Sequence, residues 1–122
     1  MLFRSGVVVR EISAPPRIVA SKPPGRVRPG SAIPVRVVAV SDAAIRSVRL
    51  VFRRIGDSEW RRLALRCRFR DSYAGEIPSQ TGSPRGVEYY VETVDAFGNQ
   101  AVWPHTAPAR CWTIVTYQIR RG

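Results

Sequence analysis

The stretch Val87–Pro104, VEYYVETVDAFGNQAVWP, decides the fold. Its first half is β-branched and aromatic, which suits a pleated, half-buried strand. Successive side chains of a strand point to opposite faces, so Tyr89 and Tyr90 are separated, one in the core and one at a surface or sheet edge. A buried tyrosine hydroxyl needs a partner, such as a loop carbonyl at a sheet corner. In VDAFGNQA the turn chemistry is explicit. Asp95 can accept hydrogen bonds from amides two or three residues on, while Gly98 and Asn99 tolerate positive φ. These residues predict a tight hairpin joining VEYYVETV to NQAVW.

Outward from this hairpin, period-two patterning continues. SVRLVFRR places Val48, Leu50 and Phe52 on one face and Arg49, Val51 and Arg53 on the other. LALRCRFR places Leu63, Leu65, Cys67 and Phe69 inward, with Ala64, Arg66, Arg68 and Arg70 outward. Gly56 and Asp57 in the intervening IGDSE make the pair a hairpin. Upstream, AIPVRVVAV is strand-like, with Pro34 restricting its start to an edge or first position. SKPPGRVRPG reads as a loop or turn, and RIVA and GVVVREI as short strands. Downstream, SYAGEIP is a strand ended by Pro78, SQTGSPRG is a loop, and CWTIVTYQI is a last alternating strand. No stretch carries a helical period over three turns. The chain is therefore expected to be all-β, an antiparallel sandwich of seven to nine strands, with a closed barrel as the alternative. Residues 1–16 form an N-terminal extension or edge strand, and residues 17–122 the sandwich domain. His105–Arg110 is a second place where the chain can leave the compact body.

The order IPVRVVAVSD, IRSVRLVFRRIGDSEWRRLAL, SYAGEIP, GVEYYVETVDAFGNQAVWP resembles the immunoglobulin-like, fibronectin-type-III-like modules of multidomain bacterial surface and secreted proteins. Asp42 matches the Asp that ends the second strand of such modules, and Val48–Arg53 the V-x-L-x-[YF]-R strand. Tyr73–Pro78 approximates a Y-x-A-x-I-P strand, and Tyr89–Asn99 matches YY-x-x-x-x-D-x-x-GN. The resemblance spans about residues 17–119 and implies an Ig-like sandwich acting as spacer, adhesive unit or docking surface. It also implies an extracytoplasmic location, at the periplasm or cell surface, and attachment to other domains. The chain opens without the apolar h-region of a signal peptide, and it is more basic than such modules usually are.

Charge is the compositional outlier: 20 basic against 9 acidic residues give a net charge of +11, and Lys22 is the only lysine. Such a balance attracts anionic partners, although a preference for Arg over Lys also follows from a GC-rich genome. The 122 residues, 44% of them hydrophobic, suffice for one modest core and argue against disorder. No apolar run approaches the length of a membrane span. Cys67 and Cys111 could form one disulfide, tying the last strand to the sandwich, or remain two buried thiols. With His105 the only histidine, a Cys/His metal site is not expected, and no cofactor is implied.

Catalysis is not expected either. Glu88 and Glu92 share a strand face roughly 13 Å apart, too far for a retaining carboxylate pair and wider than the usual inverting separation. No calcium loop, nucleophile elbow or glycine-rich phosphate loop is present. The cationic strand face is the candidate surface: Arg49, Arg53, Arg66, Arg68 and Arg70, with Arg61 and Arg62 beside Trp60. Arg and aromatic residues together suit an interface with another protein or with further copies of the chain. They also suit phosphate or sugar contacts, so a nucleic acid or acidic polysaccharide is the alternative partner. GVVVREI and CWTIVTYQI, near the chain ends, could pair with a neighbour's open sheet edge.

Overall fold

The computed structural model describes residues 14–20, 23, 25–28, 30–78 and 85–116. Among them are ten strands and no helix. One sheet has the order β1 (Arg17–Val19), β3 (Ile33–Val40), β7 (Ser72–Ile77), β6 (Arg66–Phe69). The other runs β2 (Arg26–Val27), β10 (Trp112–Thr116), β8 (Gly86–Asp95), β4 (Ile45–Arg54), β5 (Arg61–Ala64), with β9 (Gln100–Trp103) also paired to β8. We call these the first and second sheets. The chain is thus all-β and two-sheeted, not one closed barrel, and it has more strands than the seven to nine expected. SKPPGRVRPG is not entirely loop, because Arg26 and Val27 pair with β10. That pairing is parallel, an exception to the antiparallel rule of the other ladders. GVVVREI and the end of CWTIVTYQI lie outside the described residues.

The period-two pattern places the core between the sheets. Ile33, Val35, Val37 and Ala39 of β3 face Val48, Leu50 and Phe52 of β4 and Val87, Tyr89 and Val91 of β8, together with Ile77 and Ile114. Burying each large aliphatic side chain contributes about 1.5–3 kcal/mol. Pro34 lies within β3, where it removes a ladder donor. This is tolerated because β1 pairs only with Val38–Val40, so among the described residues β3 has an open side at Pro34.

LALRCRFR is not one strand. β4 and β5 pair as the expected hairpin, from Arg49↔Ala64 to Phe52↔Arg61. At Leu65 the ladder makes its last bond, the Leu65 amide donating to the Val48 carbonyl at 2.8 Å. The chain then crosses to the first sheet, where β6 pairs with β7. Leu65 is buried in the crossing, seated against Gly75: a Cβ there would stand 2.6 Å from Leu65 Cδ2. Cys67 shares a face with Tyr73, but on an edge strand, and is exposed. A register shift between Cys67 and Phe69 then turns Phe69 outward, 69% exposed. Leu63, expected inside, sits at the other sheet's edge and is 37% exposed.

The Val87–Pro104 hairpin forms as expected, with Asp95 at its centre. Asp95 Oδ1 accepts from the amides of Phe97 and Asn99, both at 2.9 Å, and Oδ2 from Asn99 Nδ2 at 3.1 Å. Gly98 adopts φ +86°. Arg46 reaches the same corner, donating to the Ala96 carbonyl at 2.9 Å. Opposite, the bulge between Ile45 and Ser47 is stitched by Thr93, whose hydroxyl donates to the Ser47 carbonyl at 3.0 Å. Beyond the turn, β9 and β10 occupy the same side of β8 in succession: β9 pairs with Val91–Val94 and β10 with Gly86–Tyr89. Residues 104–111 leave the ladder between them, and the rings of Trp103 and Trp112 meet at its base, 4.8 Å apart. The excursion contains His105–Arg110, where departure from the compact body was expected.

Gly86 starts β8 at φ +118°, buried, and an added Cβ would collide with the Ile114 carbonyl and Val115 Cα. Gly86→Ala is expected to destabilise the protein by about 2–4 kcal/mol in urea unfolding, combining strain and clash. A change within about 0.5 kcal/mol would contradict this geometry. Burial pushes the Asp95 carboxyl up, but the bonds from Asn99 and Phe97 and the Arg46 charge outweigh it and hold the group below its ordinary value. Its ionised form therefore adds stability above the ordinary carboxylate pKa of about 4, and that stability is lost as pH falls through the lowered value. Asp95→Asn should flatten the acid limb of a stability–pH profile; an unchanged limb would show that Asp95 does not carry it.

Candidate docking surface

The crossing at Leu65 divides the expected cationic face. Arg49, Arg53, Arg61 and Arg62 belong to the second sheet, and Arg66 and Arg68 to the edge strand of the first, with Arg70 in the turn that follows it. They do not form one patch, because the two strands pair only as far as Ala64.

On the second sheet, register alone predicts neutralisation. Arg53 lies opposite Glu88 and Arg49 opposite Glu92 on neighbouring strands. Arg53 Nε contacts Glu88 Oε1 at 2.9 Å. Glu92 is taken by Arg62, across the hairpin, at 3.3 Å. Trp60 lies over this outer face, edge-on to Tyr90 at 5.2 Å between centroids, and the Arg53 guanidinium stacks on the Trp60 ring at 4.1 Å. Val51, in register between Tyr90 and Arg62, and Tyr90 itself are both outward-facing and buried. Tyr89 and Tyr90 do take opposite faces, but both are enclosed, Tyr89 in the core and Tyr90 on the outer side. Burial raises the hydroxyl pKa of each. Arg61 shares a face with Phe52 at the open edge and is exposed.

The cross-link between Cys67 and Cys111 is not formed: both are free thiols, Cys67 on the edge strand β6 of the first sheet and Cys111 just before β10 of the second. The Cys67 thiol donates to the Arg70 carbonyl at 3.1 Å, closing the β6–β7 turn, in which Arg70 adopts φ +50°. Cys111 stands 3.9 Å from Glu88 Oε2, and burial first, then the Glu88 charge, push its thiol up.

The first sheet differs. Its outward residues fall in rows. Val19, Val38, Ser72 and Phe69 are joined across all four strands by register, flanked on one side by Arg36, Ala74 and Arg66 and on the other by Arg17 and Val40. Val19, Val38, Val40 and Phe69 are exposed, at 60%, 38%, 37% and 69%. Arg53, Arg54 and Arg62 are in ion pairs, whereas Arg17, Arg36 and Arg66 are in none among the described residues. The Arg70 guanidinium sits 5.4 Å from the Phe69 ring centroid. Beyond Val40 a recess of about 230 Å³ is lined by Pro15, Arg17, Ser41 and Asp42 among others. The sequence named Arg66 and Arg70 but not the valine row or Arg17 and Arg36, whose grouping depends on inter-strand register.

Among the described residues no group of three or more His, Cys, Asp and Glu could hold a metal ion, and no helix is long and apolar enough to cross a membrane.

No family model and no curated protein matches the chain. Among solved structures it is similar to a beta-glucosidase from Listeria innocua, crystallised in complex with glucose, at 14% identity and a TM-score of 0.46. The match covers 88% of this chain and 17% of the glucosidase chain, so this chain spans a small part of that protein's length. Likeness of this degree carries no functional argument.

Trp60→Ala should uncover Tyr90 and release Arg53. The expected loss is about 2–4 kcal/mol in urea unfolding, near that of other large aromatic truncations. A loss below about 0.5 kcal/mol would mean that Trp60 does not seal this face.

Proposed function

We propose that this chain is a non-catalytic interaction module with an Ig-like fold. On this reading it is a subunit or accessory domain of a larger envelope or extracellular protein assembly, and it docks through its arginine-rich surface. The Ig-like reading is supported by strand order. β1-β3-β7-β6 opposed to β4-β8-β10, with β5 beside β4, parallels the A-B-E-D and C-F-G sheets of constant-type Ig sandwiches. The extracytoplasmic setting follows from the resemblance of Tyr89–Asn99 and its neighbouring strands to bacterial surface modules.

The observation that carries docking is the exposed arginines without acidic partners beside exposed apolar side chains on the first sheet. Interface cores are enriched in arginine and aromatic residues. The outward carboxylates Glu88 and Glu92 are each held by an arginine, an arrangement suited to scaffolding rather than acid–base work. The net charge of +11 favours a second reading, binding to nucleic acid or an acidic polysaccharide.

Isolation from the native source at moderate salt is expected to yield a partner protein in fixed stoichiometry. Arg66→Glu with Arg68→Glu should weaken that complex about tenfold or more while changing stability by less than about 0.5 kcal/mol, since both side chains are exposed. Recovery of the chain alone, together with DNA affinity falling about a thousandfold or more between 50 and 200 mM salt, would favour the polyanion reading instead.

A further inference from the structure

We propose that the outer face of the first sheet, centred on the row Val19–Val38–Ser72–Phe69, docks an acidic protein surface that carries apolar side chains at its centre. The inference rests on the docking reading above and assigns it a face and a partner chemistry.

The two outer faces of the sandwich have opposite characters. That of the second sheet is closed by its own chain: Trp60 lies on Tyr90, Val51 is buried, and Arg53 and Arg62 are matched by Glu88 and Glu92. That of the first sheet has no comparable cover among the described residues. With strands about 4.8 Å apart, its apolar row extends roughly 14 Å across the sheet. Ser72, the small member, makes a dip between Val38 and Phe69 that an inserted side chain can fill. Arg36 and Arg66 edge the row on one side and Arg17 on the other, with Arg70 beside Phe69.

The surrounding charge selects the partner. Glu76, two register positions from Ala74, Asp71, in the β6–β7 turn, and Asp42, which lines the recess beside Arg17 and Val40, are the nearby acids; none is in an ion pair among the described residues, and Arg17, Arg36, Arg66 and Arg70 outnumber them. The face therefore remains net positive. A second copy of a +11 chain would meet it with like charge, so self-association through this face is disfavoured. A nucleic acid would satisfy the arginines but leave the valines and Phe69 without apolar contacts. An acidic protein surface with an apolar centre satisfies both, in the arrangement of apolar core and polar rim found at protein interfaces.

Three probes test this by calorimetric titration into the full chain at fixed salt. Two are synthetic peptides of equal negative charge, one alternating glutamate with leucine and phenylalanine, the other glutamate with serine. The third is a DNA duplex. The leucine–phenylalanine peptide is expected to bind about tenfold or more tightly than the serine peptide or the DNA. Val38→Ser with Phe69→Ser should abolish that advantage while leaving the thermal midpoint nearly unchanged. Arg36→Glu with Arg66→Glu should weaken both peptides. Equal binding of the two peptides, tighter binding of DNA, binding by none of the probes, or an advantage that survives Val38→Ser with Phe69→Ser would each overturn the proposal. Loss caused by Arg49→Glu with Arg61→Glu, and not by Arg36→Glu with Arg66→Glu, would overturn this face while sparing the docking reading.

Discussion

The arrangement of the sandwich turns on the contact of Leu65 with Gly75. A chain that leaves β5 still bonded to β4 must reach the opposite sheet within one residue. It can do so only if the crossing side chain has space beneath it. Gly75, opposite Val35 on the neighbouring strand, supplies that space, and Leu65 fills it. The contact bridges the two layers at their open edge. It also fixes which arginines accompany each sheet, and so the electrostatic character of both outer faces.

That division makes the two faces chemically unequal. Cross-strand register sets carboxylates opposite arginines on the second sheet, and the connection after β4 carries Trp60 back over them. Partly exposed pairs of this kind contribute little stability individually. Their larger effect is to cancel local charge on a face where Trp60 packs against Tyr90 and Tyr90 lies beside buried Val51. The first sheet has few acids at matching positions, so its arginines remain uncompensated beside valines that no other element among the described residues covers.

Much of this was legible in the sequence where local chemistry suffices. Asp95, Gly98 and Asn99 specify a turn by their own hydrogen bonds and backbone freedom, β3 and the inward row of β4 follow from period-two patterning, and β8 from its β-branched and aromatic content. The crossing at Leu65 was not legible. Apolar and polar residues keep alternating through it, and period two cannot distinguish one strand from two that change sheets. The burial of Val51 was hidden for a related reason: its neighbours on the outer face, Tyr90 and Arg62, come from two other strands and meet it only through register. The docking row was hidden most deeply. Val19, Val38 and Phe69 are far apart in sequence and become neighbours only through three separate registers.

The excursion between β9 and β10 has a consequence for how such a chain can change. Both strands use the same side of β8, and Trp103 and Trp112 meet where the intervening segment departs. The hydrogen-bond ladder therefore does not record how many residues lie between them. Insertions or deletions at this point alter the length of a surface protrusion while leaving every register in the sandwich intact. It is a natural site for grafting an epitope or a second domain, and for divergence among chains that share this framework.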